Sequence, residues 1–247
     1  MPDRRNVKPM NLWLSLLYFG VPCALFNLSV RLLIPLLDRL GVPLFVNFLI
    51  GVGGPLLLLF IASLVAYRAE GNPWSVSHLR ARFRLGAMTP RTWLWTLALT
   101  VVMLFGPPLL AFSSGWIRSF APPSEVVARM FEVGPDSFMG MPMGGAYLVL
   151  MGFFLFIIVN VLGEELWWRG YVLPRQEASM GGWAWLANGL LWALFHSFFQ
   201  WEVIGLLPGA LALAYVAQRR KSTWPGIVAH LAVNVPSIVS LLVGVLG

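Results

Sequence analysis

The chain has 247 residues, of which 58% are hydrophobic, 14% aromatic and only 11% charged. A soluble domain carries about a quarter charged residues, so this composition excludes an ordinary water-soluble globule and also a disordered chain. The single cysteine, Cys23, excludes an internal disulfide framework and a cysteine-based metal cluster. We therefore expect a polytopic membrane protein. The meaning of its net charge of +7 depends on which segments carry the basic residues.

Seven stretches meet or approach the roughly 20 apolar residues that a membrane-spanning helix needs. They predict an all-α bundle of about seven transmembrane helices, because no alternating strand pattern occurs in the sequence. The first stretch is too long for a secretory signal and lacks a small-residue cleavage site, so we expect a retained anchor. In chain order the predicted spans are about 11–30, 43–67, 92–112, 146–173, 183–199, 203–218 and 223–246.

Charged and aromatic residues mark the expected membrane surfaces. An amino terminus inside places most lysines and arginines in inner loops, which is the usual bias, and leaves four outside: Arg31, Arg39, Arg118 and Arg129. The positive charge is thus an orientation signal, and Arg80, Arg82 and Arg84 suit contact with anionic membrane lipids rather than nucleic acid. Five tryptophans are expected in interfacial belts, namely Trp167, Trp168, Trp183, Trp185 and Trp201.

Five charged or histidine residues and one asparagine stand out inside the predicted spans, all of them in the second half of the chain. They are Glu164, Glu165 and Arg169 on the fourth span, His196 on the fifth, and His230 with Asn234 on the seventh. Ionisable groups within a membrane are costly and usually face a cavity or each other. At about 1.5 Å per residue, four of them lie roughly 10 to 21 Å from the inner ends of their helices, namely Glu164, His196, His230 and Asn234. We therefore expect them to meet near the middle of the membrane.

The spacing of these residues indicates hydrolytic chemistry. Glu165 and Arg169 are four residues apart, in the favoured order for a helical ion pair. His230 and Asn234 have the same spacing and could donate hydrogen bonds to a developing oxyanion. A shielded carboxylate beside a histidine can act as general base on a water molecule. Trp192, one helical turn before His196, can form a wall of the pocket.

Two other interpretations use the same residues. A zinc ion could be bound by Glu164, His196 and His230, because two histidines and a carboxylate form catalytic zinc sites in other folds. The usual helical zinc motif is absent from the sequence, so we favour chemistry without a metal. A transporter could use these groups as a proton relay, but no inverted repeat is visible and the polar residues occupy one half of the chain.

Three motifs in this order resemble the CPBP family of intramembrane proteases, also called CAAX-protease and bacteriocin-processing or Abi proteins. The family carries Glu-Glu-x-x-x-Arg on one helix, aromatic-x-x-x-His on the next and His-x-x-x-Asn or Asp on a later one. The sequence Gly-Glu-Glu-Leu-Trp-Trp-Arg-Gly at 163–170 fits the first motif. The second motif, Trp192 to His196, has tryptophan where the family usually has phenylalanine, and the third is His230 to Asn234.

The resemblance implies an intramembrane endopeptidase that cleaves a membrane-associated protein or peptide. Glu164 would activate water with help from His196, while His230 and Asn234 would stabilise the oxyanion. Glu165, Arg169 and Trp192 would support the site or contact substrate, and the family has also been described as metalloproteases. A catalytically inert immunity protein on the same scaffold is a further alternative.

The resemblance also implies where the protein works and how it is organised. It begins near residue 146, so we expect one membrane domain with scaffold helices and an outer loop in 1–145 and the catalytic core in 146–247. Eukaryotic members cleave prenylated tails, whereas prokaryotic members are associated with bacteriocin maturation, immunity or surface-protein processing. We expect a prokaryotic cytoplasmic membrane, with the active-site cavity toward the cytoplasm.

Overall fold

A computed structural model describes residues 7–132 and 137–246. This part of the chain is almost entirely helical, apart from a hairpin of β1 (Ser137–Phe138) and β2 (Met141–Pro142), which pair antiparallel. The helices before the hairpin are α1 (Leu12–Arg39), α2 (Leu44–Ala69), α3 (Val76–Arg82), α4 (Pro90–Leu109), α5 (Ala111–Phe120) and α6 (Glu125–Arg129). Those after it are α7 (147–180), α8 (Ala184–Phe195), α9 (Val203–Arg220) and α10 (Trp224–Leu246). The predicted all-α class is confirmed.

Five helical runs in the described residues are long and apolar enough to cross a membrane. Four of them are α1, α2, α4 and α10, and the fifth is the run Tyr147–Arg220. That run has 74 residues and contains α7, α8 and α9, which correspond to three of the seven predicted spans. The chain is therefore an integral multi-pass helix bundle, and the number of seven spans stays a prediction.

Helix α8 is shorter than the span predicted for residues 183–199. Its 12 residues measure about 18 Å, less than a membrane-spanning helix needs. The chain then continues as a tighter 3₁₀ segment, His196–Glu202, in which Phe199 has non-helical φ and ψ of −117° and 67°. His196 therefore lies at the carboxy-terminal end of a short helix. Helix α7, in contrast, continues past its predicted end at residue 173.

The helices of the second half pack closely around the predicted site. Helix α9 contacts both α8 and α4, α10 contacts α4 and α7, and α7 contacts α2. A Cβ at Gly163 would lie 2.8 Å from the carbonyl oxygen of Leu56, and one at Gly189 would lie 2.9 Å from that of Ala210. Small residues allow such approaches between membrane helices. The two glycines bring the backbones beside Glu164 and α8 close to their neighbours.

Helix α7 changes from α-helical to π-helical geometry within the first motif. It is α-helical over Tyr147–Glu164, π-helical over Glu165–Val172 and α-helical again over Leu173–Met180. Shorter π-helical turns occur at Ser29–Leu33 in α1 and Leu49–Gly53 in α2. Within the π-helical segment of α7, the carbonyl of Trp168 accepts a 3.2 Å hydrogen bond from buried Asn188. Local π-helical geometry is frequent at functional sites, and here it contains Glu165 and Arg169.

The loop that contains α3 is fastened to this π-helical segment. Arg82 pairs with Glu70 at 2.6 Å and donates a 3.0 Å hydrogen bond to the carbonyl of Gly170. Arg84 pairs with Glu177 at 2.6 Å. The expectation that Arg80, Arg82 and Arg84 all face lipid is therefore wrong for the last two. Both side chains form ion pairs within the protein, because the loop folds back onto α7.

Three of the five tryptophans expected at membrane surfaces are instead buried. Trp167, Trp168 and Trp201 are 8%, 0% and 1% exposed, whereas Trp183 is 71% exposed. Trp168 stacks on Phe19 of α1 with ring centres 4.0 Å apart. The interfacial prediction was wrong for these three residues, because the π-helical part of α7 and Trp201 of the 3₁₀ segment are buried inside the bundle.

Candidate active site

The carboxylate of Glu164 has a different neighbour on each oxygen. Glu164 ends the α-helical part of α7, and only 4% of the residue is exposed. Its Oε2 accepts a 2.7 Å hydrogen bond from the indole Nε1 of Trp192 on α8. Its Oε1 lies 3.9 Å from Nε2 of His196. One oxygen is thus held by a protein donor, and the other faces an imidazole.

The orientation of His196 follows from its second ring nitrogen. Nδ1 lies 2.8 Å from the carbonyl oxygen of Trp192, and because a carbonyl can only accept, Nδ1 carries the hydrogen. In the neutral imidazole Nε2 then has a lone pair on the side of Glu164. A carboxylate oxygen and an unprotonated nitrogen cannot bond to each other. A water molecule with two hydrogens could satisfy both.

Glu165 joins α7 to α10. Its Oε1 accepts a 3.2 Å hydrogen bond from Nη1 of Arg169, and both side chains are fully buried. The same oxygen lies 3.3 Å from Nδ1 of His230. Since a carboxylate accepts, Nδ1 is the donor and the other ring nitrogen is available for a ligand. The ion pair expected from the spacing is present in the structure, and His230 is attached to it.

The ion pair is incompletely satisfied by its neighbours. Among the described residues, Oε2 of Glu165 and both Nε and Nη2 of Arg169 have no hydrogen-bond partner. The Arg169 guanidinium lies over the Trp192 ring, 4.6 Å from the ring centre, which is the geometry of a cation–π contact. On its other side the Glu165 carboxylate fits against Gly226, where a Cβ would overlap Oε2.

Asn234 is oriented differently from the expectation. Its Nδ2 donates a 2.8 Å hydrogen bond to the backbone carbonyl of His230, one turn earlier on α10. The Asn234 amide is therefore bonded to the main chain of His230 and not to its imidazole. An amide group has two hydrogens, so one donor of Asn234 is left for another partner.

We define the polar cluster as Glu164, Glu165, Arg169, Trp192, His196 and His230. Within the described residues, no three His, Cys, Asp or Glu side chains are arranged to hold one metal ion. Glu164 and His196 face each other, but Nδ1 of His230 is bonded to Glu165. In this arrangement the three residues of the zinc alternative do not form a ligand set.

Two cavities of the structure lie away from the polar cluster. A groove of about 1430 Å³ is lined by the α3 loop, the end of α7 and Lys221. A smaller cavity of about 230 Å³ lies near Arg31 and Trp201. Neither is lined by any residue of the cluster, so the predicted opening toward the cytoplasm stays a prediction.

Sequence reasoning missed two contacts within the candidate site. It placed Trp192 as a wall, whereas its indole N–H is bonded to Glu164. The signal was the tryptophan itself, because the phenylalanine usual at this position in the resembling family has no such donor. It also missed Gly226, and nothing in the local sequence indicates that Glu165 would pack against this glycine of α10.

Comparison with known proteins supports the motif-based resemblance. The model of a family described as "Type II CAAX prenyl endopeptidase Rce1-like" matches residues 146–236. That range contains the whole polar cluster and Asn234, and it excludes α1 to α6. A search of curated proteins and a search of solved structures found no match. Residues 146–236 are therefore similar to the Rce1-like family of CAAX prenyl endopeptidases, which confirms the resemblance to CPBP proteases.

Proposed function

We propose that this protein is an intramembrane endopeptidase that hydrolyses a peptide bond of a membrane-associated protein or peptide. The observation that supports this best is the pair of acceptors formed by Glu164 and His196, 3.9 Å apart in the region that matches the family. Both groups are largely buried, and both require a hydrogen-bond donor between them. A nucleophilic water is the donor that peptide hydrolysis needs.

In the proposed reaction Glu164 is the general base. A water between Oε1 of Glu164 and Nε2 of His196 attacks the carbonyl carbon of the scissile bond and gives one proton to the carboxylate. The carbonyl π electrons move to oxygen and form a tetrahedral oxyanion. When the C–N bond breaks, Glu164 returns the proton to the leaving amine, so that the carboxylate is regenerated.

The oxyanion is proposed to lie beside α10. With Nδ1 of His230 bonded to Glu165, an imidazolium at this position would have a carboxylate partner and would present its second N–H to the substrate. The free N–H of Asn234 is proposed as the second donor. Each such donor contributes a factor of roughly 10²–10³ in rate in well-studied hydrolases.

Charge balance supports this assignment. Glu164 and Glu165 bring two negative charges into the membrane, and Arg169 brings one positive charge. A protonated His230 would make the group neutral, which reduces the cost of burying charges away from water. Glu165 and Arg169 are therefore proposed to support the site rather than to react.

The substrate class is proposed from the family. A prenylated peptide with a CAAX carboxy terminus would lie at the membrane surface and present its scissile bond near the polar cluster. We further propose a prokaryotic cytoplasmic membrane and access from the cytoplasm, in line with the charge bias of the loops. Bacteriocin and surface-protein precursors are alternative membrane-associated peptide substrates.

The central test is the conservative variant Glu164→Gln in reconstituted vesicles. Cleavage of an internally quenched, farnesylated CAAX peptide is expected to fall by roughly 10²- to 10⁴-fold, because the general base is removed. Glu202→Gln is the matched control, since Glu202 pairs only loosely with Arg118 at 3.8 Å and lies outside the cluster. Activity retained by a folded Glu164→Gln protein would contradict the mechanism. Wild-type protein that cleaves neither this peptide nor its unprenylated form would contradict the substrate class.

We also propose that hydrolysis requires no metal. Exhaustive treatment with EDTA and 1,10-phenanthroline is expected to leave the rate of peptide cleavage unchanged. A loss of activity that is restored by added zinc would instead favour Glu164, His196 and His230 as ligands, with His230 turned away from Glu165.

A further inference from the structure

Trp192 contacts every ionisable side chain of the polar cluster except Glu165. Its indole N–H donates to Oε2 of Glu164, and its backbone carbonyl accepts from Nδ1 of His196. Its ring lies beneath the Arg169 guanidinium and meets the His196 and His230 rings edge-on, with ring centres 4.5 and 6.4 Å away. The residue itself is only 3% exposed. This one side chain is therefore in contact with groups from three helices.

We propose that Trp192 is a positioning residue for the Glu164 base, an inference that rests on the proposed function. The indole N–H holds Oε2, so that Oε1 alone faces Nε2 of His196 and the water between them. The carbonyl of the same residue keeps the Nδ1 hydrogen of His196 in place and leaves Nε2 as an acceptor. Trp192 thus sets the geometry of both groups that bind the nucleophile.

The physical reason is the freedom of a carboxylate that has no donor. Rotation about the last side-chain bond of Glu164 is broad, and a buried oxygen without a partner seeks one. Without the indole hydrogen, the carboxylate could turn toward other buried donors, of which Arg169 has two unused among the described residues. A single charge-assisted hydrogen bond at 2.7 Å is strong enough to prevent this. Phenylalanine, the usual residue at this position in the family, has no N–H and cannot donate this hydrogen bond. This chain therefore differs here from the family pattern.

The test is Trp192→Phe, which keeps an aromatic ring and removes the N–H. We expect kcat for the farnesylated CAAX peptide to fall by roughly 10- to 100-fold, with KM little changed, since the bond orients the base and not the substrate. Trp168→Phe is the matched control. Trp168 is fully buried on the adjacent helix, and its Nε1 has no hydrogen-bond partner among the described residues. Its variant removes the same atoms and is expected to keep the wild-type kcat.

The outcomes separate this inference from the proposed function. If Glu164→Gln is inactive while Trp192→Phe has the wild-type kcat, Trp192 does not position the base and the proposed function stands. If Glu164→Gln stays active, Glu164 is not the general base, so the proposed mechanism is wrong and the inference falls with it. Equal losses of kcat in Trp192→Phe and Trp168→Phe would indicate a packing defect and overturn the inference.

A spectroscopic measurement covers the case in which Trp192→Phe does not fold. The indole ¹H–¹⁵N resonance of Trp192 in detergent-solubilised protein is expected to shift in Glu164→Ala, because its acceptor is removed. The indole resonance of Trp168 should keep its position in the same sample. A Trp192 resonance that does not move would overturn the inference.

Discussion

Gly226→Ala is a small substitution that should disturb the centre of the site. A Cβ at this position would overlap Oε2 of Glu165 and lie 2.9 Å from Cδ2 of Leu213. The carboxylate cannot retreat freely, because its other oxygen is bonded to Arg169 and His230. Either the ion pair or the packing of α10 on α7 has to shift.

The magnitude follows from two opposing effects. Alanine in place of glycine inside a helix stabilises by about 1 kcal/mol, because less backbone entropy is lost on folding. Overpacking a close contact destabilises by about 1–3 kcal/mol, and more where it strains a buried ion pair. We therefore expect a net loss of about 1–2 kcal/mol, together with a fall in kcat of roughly 10-fold as Glu165 and His230 shift.

Gly205→Ala provides the comparison. Gly205 is also a buried helical glycine in the second half of the chain, and its Cβ would meet only Pro107 Cα at 4.0 Å. Thermal unfolding in detergent and the rate of peptide cleavage would be measured for both variants. Gly205→Ala should be neutral or stabilising. If Gly226→Ala matched it in both measurements, the close contact between Glu165 and α10 would be refuted.

Two further predictions concern the buried charges of α7. Arg169→Met should lower the free energy of unfolding by about 3–5 kcal/mol, because it removes the arginine partner of the fully buried Glu165 carboxylate. An unchanged thermal unfolding temperature would show that the pair is not formed. Arg82→Ala should cost about 1–3 kcal/mol, since it removes the hydrogen bond to the Gly170 carbonyl and a close ion pair. Exposed Arg80 serves as its control, and equal unfolding temperatures for Arg82→Ala and Arg80→Ala would contradict the proposed fastening of the loop.

Much of the fold could be predicted because a membrane imposes simple rules on sequence. A long apolar stretch in a membrane has to pair its own backbone N–H and C=O groups, and a helix does so within one segment. The fold class and most helix positions therefore followed from the sequence. The exceptions have local causes. Helix α8 ends at Phe195 because the following segment tightens and Phe199 departs from helical geometry. The interior position of Trp168 and the pairing of Arg84 with Glu177 depend on contacts between segments far apart in the chain.

The candidate site was predictable in its membership but not in its bonding. Charged residues are so rare in this chain that Glu164, Glu165 and Arg169 stood out, and the histidines completed a recognisable set. Spacing along one helix also predicted the Glu165–Arg169 pair, because neighbours at i and i+4 are set by helical geometry alone. The sequence pattern could not show which carboxylate faces which histidine. That choice depends on the relative rotation and height of three helices.

By itself the sequence determined that this protein is a multi-pass helix bundle with a polar group in its second half, since composition and periodicity are properties of each segment alone. Only the tertiary structure decided the partners of the two carboxylates. Glu164 accepts a hydrogen bond from Trp192 and faces His196, while Glu165 accepts from Arg169 and His230. The physical reason is that hydrogen bonds between helices require matching positions to within about 0.5 Å. A shift of one residue in any of the three helices rotates a side chain by about 100°.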